Sequence, residues 1–326
     1  MVRHDAPAEA GQVRRSTSPP LSPDDDAGAA ARRVLAVWLA AFDREMPGAR
    51  EGDVEAVHQL RVAMRRLRAT LALFEPVLPP GVVASLTEDL AWLGRGVGGV
   101  RDLDVLAIVI GALERSLDDA ARAALGALEH ALAERRAVAL VEMGRLLDMP
   151  RTRRVRARLA QLARPRARTR PTARLGDVAG DLLRPRLAAV RRAGHDLDPE
   201  TPPVAFHRLR VRVKRLRYGC ETLESLAPDA VRPLVRRLVR LQDALGEHQD
   251  AVTHAAWLRA VASSAQLRPA TLLAMGALVD RLERRAARLR VRMGTLWRRF
   301  DRRRLRAAPL ESLRGLRTRP TGRADG

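Results

Sequence analysis

Cysteine, lysine, aromatic residues and acids are all scarce in this chain of 326 residues, and each scarcity excludes something. Cys220 is the only cysteine. No intramolecular disulfide can staple the fold, which fits a reducing compartment and leads to the expectation of a cytoplasmic protein. No window approaches the ~18 uninterrupted apolar residues that a transmembrane helix needs. Residues 1–26 carry Pro7, Pro19, Pro20, Pro23 and the run Asp24-Asp25-Asp26, and lack the apolar stretch of a signal peptide. A membrane partner is therefore not expected. Aromatics make up 3% of the chain, so the core has to be built from Leu, Val and Ala, which suits helix-on-helix packing. No segment shows the period-two alternation of a strand.

Acids are outnumbered: 38 Asp and Glu face 60 basic residues, for a net charge of +22. A charge of that size repels itself and points to an acidic partner. Lys214 is the only lysine. Genome composition accounts for most of a preference for Arg over Lys, but not for the shortage of acids. Whatever its origin, the planar guanidinium fork matches phosphate oxygens.

Hydrophobic periodicity and punctuation predict an all-α protein. Residues 1–26 read as a disordered leader. A helix is expected after the Asp run, through Val34, Leu35, Trp38, Leu39 and Phe42, stopping near Pro47-Gly48. A second starts at an Asp53 N-cap and ends by Pro76. A third covers Val82 to Leu93. Gly94, Gly96, Gly98 and Gly99 then read as a flexible connection, with a new helix opening at Arg101-Asp102-Leu103-Asp104. A helical tract from Ala120 to Leu147 follows. Residues 151–174 hold ten arginines and no acid, helical in their first half and linker-like from Pro165 to Pro171. The expected organisation is a first helical-bundle repeat over 27–150, this connector, a second repeat over 175–306 and a flexible tail over 307–326.

The repeat is legible in the residues. Val57–Arg68 reads VHQLRVAMRRLR and Phe206–Arg217 reads FHRLRVRVKRLR, seven of twelve identical at a shift of 149. Leu90, Leu93, Gly98 and Asp102 are echoed by Leu238, Leu241, Gly246 and Asp250 at a shift of 148. At about 100° per residue, Leu60, Met64, Leu67, Leu71 and Phe74 form a core stripe. His58, Arg61, Arg65 and Arg68 form a ridge beside it. His207, Arg210, Lys214 and Arg217 reproduce that ridge, while Arg66 and Arg215 point elsewhere. Neither ridge contains a carboxylate, and its residues rise by roughly 4.5–6 Å from one to the next. An elongated polyanion is the natural counter-charge.

These residues resemble the CHAD family, the conserved histidine α-helical domain. The matching pieces are VHQLRVAMRRLR with LGRGVGGVRDLDV, and FHRLRVRVKRLRY with LQDALGEHQDAV, in an arrangement spanning roughly residues 27–305. The resemblance implies two related four-helix bundles around a basic channel, binding of inorganic polyphosphate, and association with polyphosphate granules and polyphosphate-metabolising proteins. By motif position it implies His58, Arg61, Arg65, Arg68, His207, Arg210, Lys214 and Arg217 as the polyphosphate-binding residues. Some family members carry a fused triphosphate tunnel domain; nothing here matches the E-x-E-x-K strand that it needs.

No catalytic residue, cofactor or metal is expected. Asp102, Asp104 and Asp250 read as residues at helix starts that cap and pair with arginine. His248 and His254, six apart, are poorly spaced for one ion. His58 and His207 are read as donors to phosphate, and Cys220 as a buried structural thiol. Nucleic-acid binding through the same basic surface is the alternative function, but no aromatics interleave the first ridge to stack on bases. Phosphoryl transfer lacks an acidic metal cluster or phosphate loop.

Overall fold

The computed structural model describes residues 18–114, 119–165, 173–264 and 267–317, and among them the regular structure is helical. Eleven α-helices can be numbered along these residues: α1 (Ala27–Arg50), α2 (Val54–Leu73), α3 (Val82–Glu114), α4 (Asp119–Ala124), α5 (Gly126–Asp148), α6 (Pro150–Ala163), α7 (Leu175–Gly194), α8 (Pro203–Leu223), α9 (Pro228–Ser264), α10 (Pro269–Phe300) and α11 (Arg303–Arg314). Local chemistry sets the first starts. The Asp26 side chain accepts from the Ala29 amide at 2.8 Å and that of Asp53 from the Ala56 amide at 2.6 Å, each satisfying an orphan donor of the helix it opens. Gly52, at φ 82°, makes the tight turn between α1 and α2.

Several boundaries differ from the sequence expectation. Helix α1 continues through Pro47 to Arg50; a proline so near the end removes one backbone bond without a following helix to break. Helix α3 runs unbroken from Val82 to Glu114, straight through the expected glycine connection. Each helical glycine costs about 1 kcal/mol relative to alanine, but Leu90, Leu93, Val97 and Val100 are fully buried along this stretch and hold it helical. Asp102, Asp104 and Asp250 consequently lie inside α3 and α9 and cap nothing.

Residues 18–26, read as leader, are strapped down: Leu21 is buried, and its amide and carbonyl both bond the Ser225 hydroxyl. Residues 307–314, read as loose tail, belong to α11, which passes Pro309 and buries Leu313 against α7 and α9. The first half of the connector forms α6, with Val155, Leu159 and Leu162 buried. Residues 166–172, 1–17 and 318–326 lie outside the described residues.

Neighbours in sequence pack as neighbours in space: α1 on α2, α2 on α3, α3 on α5, then α7 on α8, α8 on α9 and α9 on α10. The two sets meet where α2 packs on α8 and α1 on α7. One buried cluster draws on both sets, from Val34 and Phe42 to Leu183, Leu216 and Leu313. A second forms where the far ends of α3 and α5 meet α9 and α10, around Leu106, Leu128, Leu258 and Leu278. A chain this poor in aromatics has filled both mostly with Leu, Val and Ala, its four phenylalanines all joining the first.

Candidate functional site

The core stripe of α2 is buried as expected. Leu60, Leu67, Leu71 and Phe74 are at 0% exposure and Met64 at 2%, each contributing roughly 1.5–3 kcal/mol of burial. That stripe fixes the roll of the helix, and the roll places His58, Arg61, Arg65 and Arg68 along its half-buried flank. Leu209, Val213 and Leu216 do the same for α8, leaving Arg210, Lys214 and Arg217 half-buried and His207 exposed. Because α2 packs on α8, the two rows come within electrostatic reach. Burial pushes the Arg61 guanidinium below its ordinary range, Asp102 opposes this, and Arg65, Arg101 and Arg210 push it down further. Burial likewise lowers Arg68, with Arg215 and Arg95 adding to it. Arg215 therefore stands beside the ridge rather than apart from it. It also bears on Arg186, a half-buried arginine that donates to the Leu182 and Ala72 carbonyls.

Arg95 and Arg101 were hidden from sequence reading by the glycines around them. Once 94–102 is drawn as a helix, Arg95, Arg101 and Asp102 fall within about 60° of Gly98. Gly98 itself is the surface on which Arg61 lies: a Cβ there would stand 2.7 Å from Arg61 Nη1. The second half repeats the pairing more loosely, with a Cβ on Gly246 at 3.9 Å from Arg210 Nε. Gly98 thus makes room for Arg61, whereas a side chain at Gly246 would meet Arg210 only at ordinary contact distance.

The Nε atoms of Arg65, Arg68 and Arg210 are buried with no hydrogen-bond acceptor among the described residues. Unsatisfied buried donors on a charged group are costly. The cations crowd tightly enough to act on neighbours: burial alone would raise the Tyr218 phenol, yet Arg65, Arg217 and Arg66 together bring it down. His207 is held through Nδ1, 3.0 Å from Gln249 Oε1, and Gln249 Nε2 donates to Thr253 Oγ1 at 3.0 Å. With the amide oxygen, which can only accept, as its partner, Nδ1 is the donor in this contact. Gln249 lies on α9 and had no signal in the ridge pattern.

Arg217 and Arg66 have a different surrounding. Glu221 lies just past the acid-free stretch. It accepts an ion pair from Arg66 of α2 and stands 3.5 Å from Arg217 Nε, all three groups being largely buried. Arg66 also lies over the Tyr218 ring at 4.2 Å and the Trp38 ring at 5.1 Å. This clasp ties α2 to α8 beneath the ridge. Asp104 is also committed within the fold, to Arg136 at 2.6 Å. Cys220 is buried, and burial together with Glu221 and Glu224 pushes its thiol up. Among the described residues no group of three or more His, Cys, Asp or Glu is placed to hold a metal ion, and no helix is long and apolar enough to cross a membrane.

A family model described as the CHAD domain matches residues 30–259. Among solved structures, the chain is 25% identical to the CHAD domain from the plant Ricinus communis, with a TM-score of 0.68 and coverage of 86% of this chain and 95% of that one. It is equally 25% identical to PptA from Streptomyces chartreusis, with a TM-score of 0.65 and coverage of 84% and 100%. No curated protein matches.

Proposed function

The chain belongs to the CHAD domain family, and from that premise we propose that it binds inorganic polyphosphate along the cationic flanks of α2 and α8, without turning it over. The observation that carries this reading is the crowding at Arg61. Its guanidinium is half-buried among Arg65, Arg101 and Arg210, three positive charges drawn from three helices. An anion with many charges in a row relieves that repulsion at several points at once. Charge-assisted hydrogen bonds of roughly 1.5–3 kcal/mol each would oppose the cost of ordering the chain. His58, Arg61, Arg65, Arg68, His207, Arg210 and Lys214 are the proposed contacts, with Arg95, Arg101 and Arg215 extending the field. Arg217 keeps a place in the set through its position on the ridge, although Glu221 already holds part of its charge. A cytoplasmic protein recruited to polyphosphate granules is the setting this implies.

The experiment is a titration at fixed salt with long-chain polyphosphate, orthophosphate and duplex DNA, run on the wild type and on Arg61→Glu/Arg210→Glu. We expect long-chain polyphosphate to bind far more tightly than either competitor, the double variant to lose at least about ten-fold in affinity with its helicity intact, and no phosphate to be released with divalent metal present. Equal or tighter binding of DNA would transfer the assignment to nucleic acid. Phosphate release that the double variant lacks would make the protein an enzyme.

A further inference from the structure

A carboxylate stands beside Arg61 in the cationic cluster. Asp102 Oδ1 is 3.3 Å from Arg61 Nη1 with no hydrogen bond between them, and it is the one group named above that favours the charged form of Arg61. The two partners are unequal. The Arg61 side chain is 23% exposed and pinned against Gly98, whereas that of Asp102 is 72% exposed. An exposed carboxylate keeps its rotamer freedom and its hydration, so it can swing away from the arginine at little cost. The half-buried guanidinium, lying between Gly98 and the neighbouring arginines, has less room to follow. Asp102 rides on α3, a long helix anchored by Leu90, Leu93, Val97 and Val100, so its backbone stays beside the site whichever way the side chain turns.

We infer that Asp102 is a built-in counter-anion that occupies Arg61 until a phosphate chain displaces it, and that it sets the preference of the site for phosphate polymers over short phosphates. The inference rests on the polyphosphate reading above. Its physics is a fixed penalty set against a variable gain. Any anion that takes Arg61 must expel Asp102 and then tolerate a like charge nearby. A short anion reaches only the cations immediately around Arg61, so the penalty takes a large share of its gain. A long chain contacts both ridges, so the same penalty is offset by its further contacts with Arg65, Arg68 and Arg210.

The test is Asp102→Asn, a substitution of nearly equal size at an exposed position, with Asp102→Ala as a second variant. Calorimetric titrations would use sodium tripolyphosphate and long-chain polyphosphate at one salt concentration. Tripolyphosphate affinity is expected to rise on the order of ten-fold in both variants and long-chain affinity to rise less, so that the ratio between the two narrows. In the wild type, the carboxyl carbon resonance of Asp102 is expected to move when tripolyphosphate is added. If the wild type binds long-chain polyphosphate but the variants bind tripolyphosphate no better, or worse, Asp102 positions Arg61 instead of competing for it, and this inference alone falls. If the wild type binds neither chain, the polyphosphate reading falls and takes the inference with it.

Discussion

A single missing methyl group decides how Arg61 lies. Gly98 faces it so closely that an added Cβ would stand 2.7 Å from Nη1, the free end of a flexible side chain. The arginine can move aside, so Gly98→Ala should leave the fold intact and gain up to about 1 kcal/mol of helix propensity. It should nonetheless weaken polyphosphate binding several-fold, because the guanidinium is turned out of its seat. Gly246→Ala is the internal control: its Cβ would meet Arg210 at ordinary contact distance, and binding should hardly change. Thermal melts beside polyphosphate titrations of the two variants check this. If both bind as wild type, the glycine has no part in holding the arginine. Gly96 is a different case, since a Cβ there would run into Leu146; its need is for close packing of α3 on α5.

Helices α2 and α8 carry the two ridges, and what sets them against each other is the clasp beneath. Glu221 receives Arg66 from one helix and Arg217 from the other, and the Tyr218 ring lies under both guanidinium groups. Removing the carboxylate leaves two largely buried cations facing each other without compensation. Glu221→Gln should therefore lower stability by about 1–3 kcal/mol in chemical denaturation, while the protein that remains folded binds polyphosphate within a few-fold of wild type. A loss of affinity with no loss of stability would instead make Glu221 part of the binding surface. The clasp also separates Arg217 from the rest of its row: its ridge position was legible in the repeat, its partner was not.

At the scale of the whole molecule, acid should loosen the far end where α9 passes both cores. His248 is buried against Phe206, ring centroids 5.0 Å apart, and His254 is buried further along the same helix. Burial, with Arg290 adding to it, lowers His248 to about 4; burial lowers His254 to about 4 despite the opposing pull of Asp102. Both groups are thus harder to protonate in the folded state than in the unfolded chain, where a histidine titrates near 6.5. Their contribution is intact above pH ~6.5 and is lost as the pH falls toward about 4, because the unfolded chain takes up the protons first. The upper bound is about 3 kcal/mol for each ring. Melting temperature followed from pH 7 to 4 should fall across that window, and His248→Phe should flatten the fall. A pH-independent melting temperature would contradict the burial of both rings.

Read alone, the sequence determined the helical class, the stripe from Leu60 to Phe74, the helix start after the Asp run, the cap at Asp53, and the two cationic rows. Each of these is a matter of spacing within one helix, and spacing is what a sequence carries. Tertiary structure decided the rest. Whether Gly94–Gly99 breaks a helix depends on what presses against it, and buried Val97 and Val100 with Arg61 and Leu146 alongside make it a helix. Whether Asp102 caps a terminus or faces Arg61, whether Arg217 is held by Glu221, and whether residues 307–314 pack or trail all turn on groups distant in the chain. Burial and Coulomb energy depend on distance in space, which a one-dimensional pattern does not record.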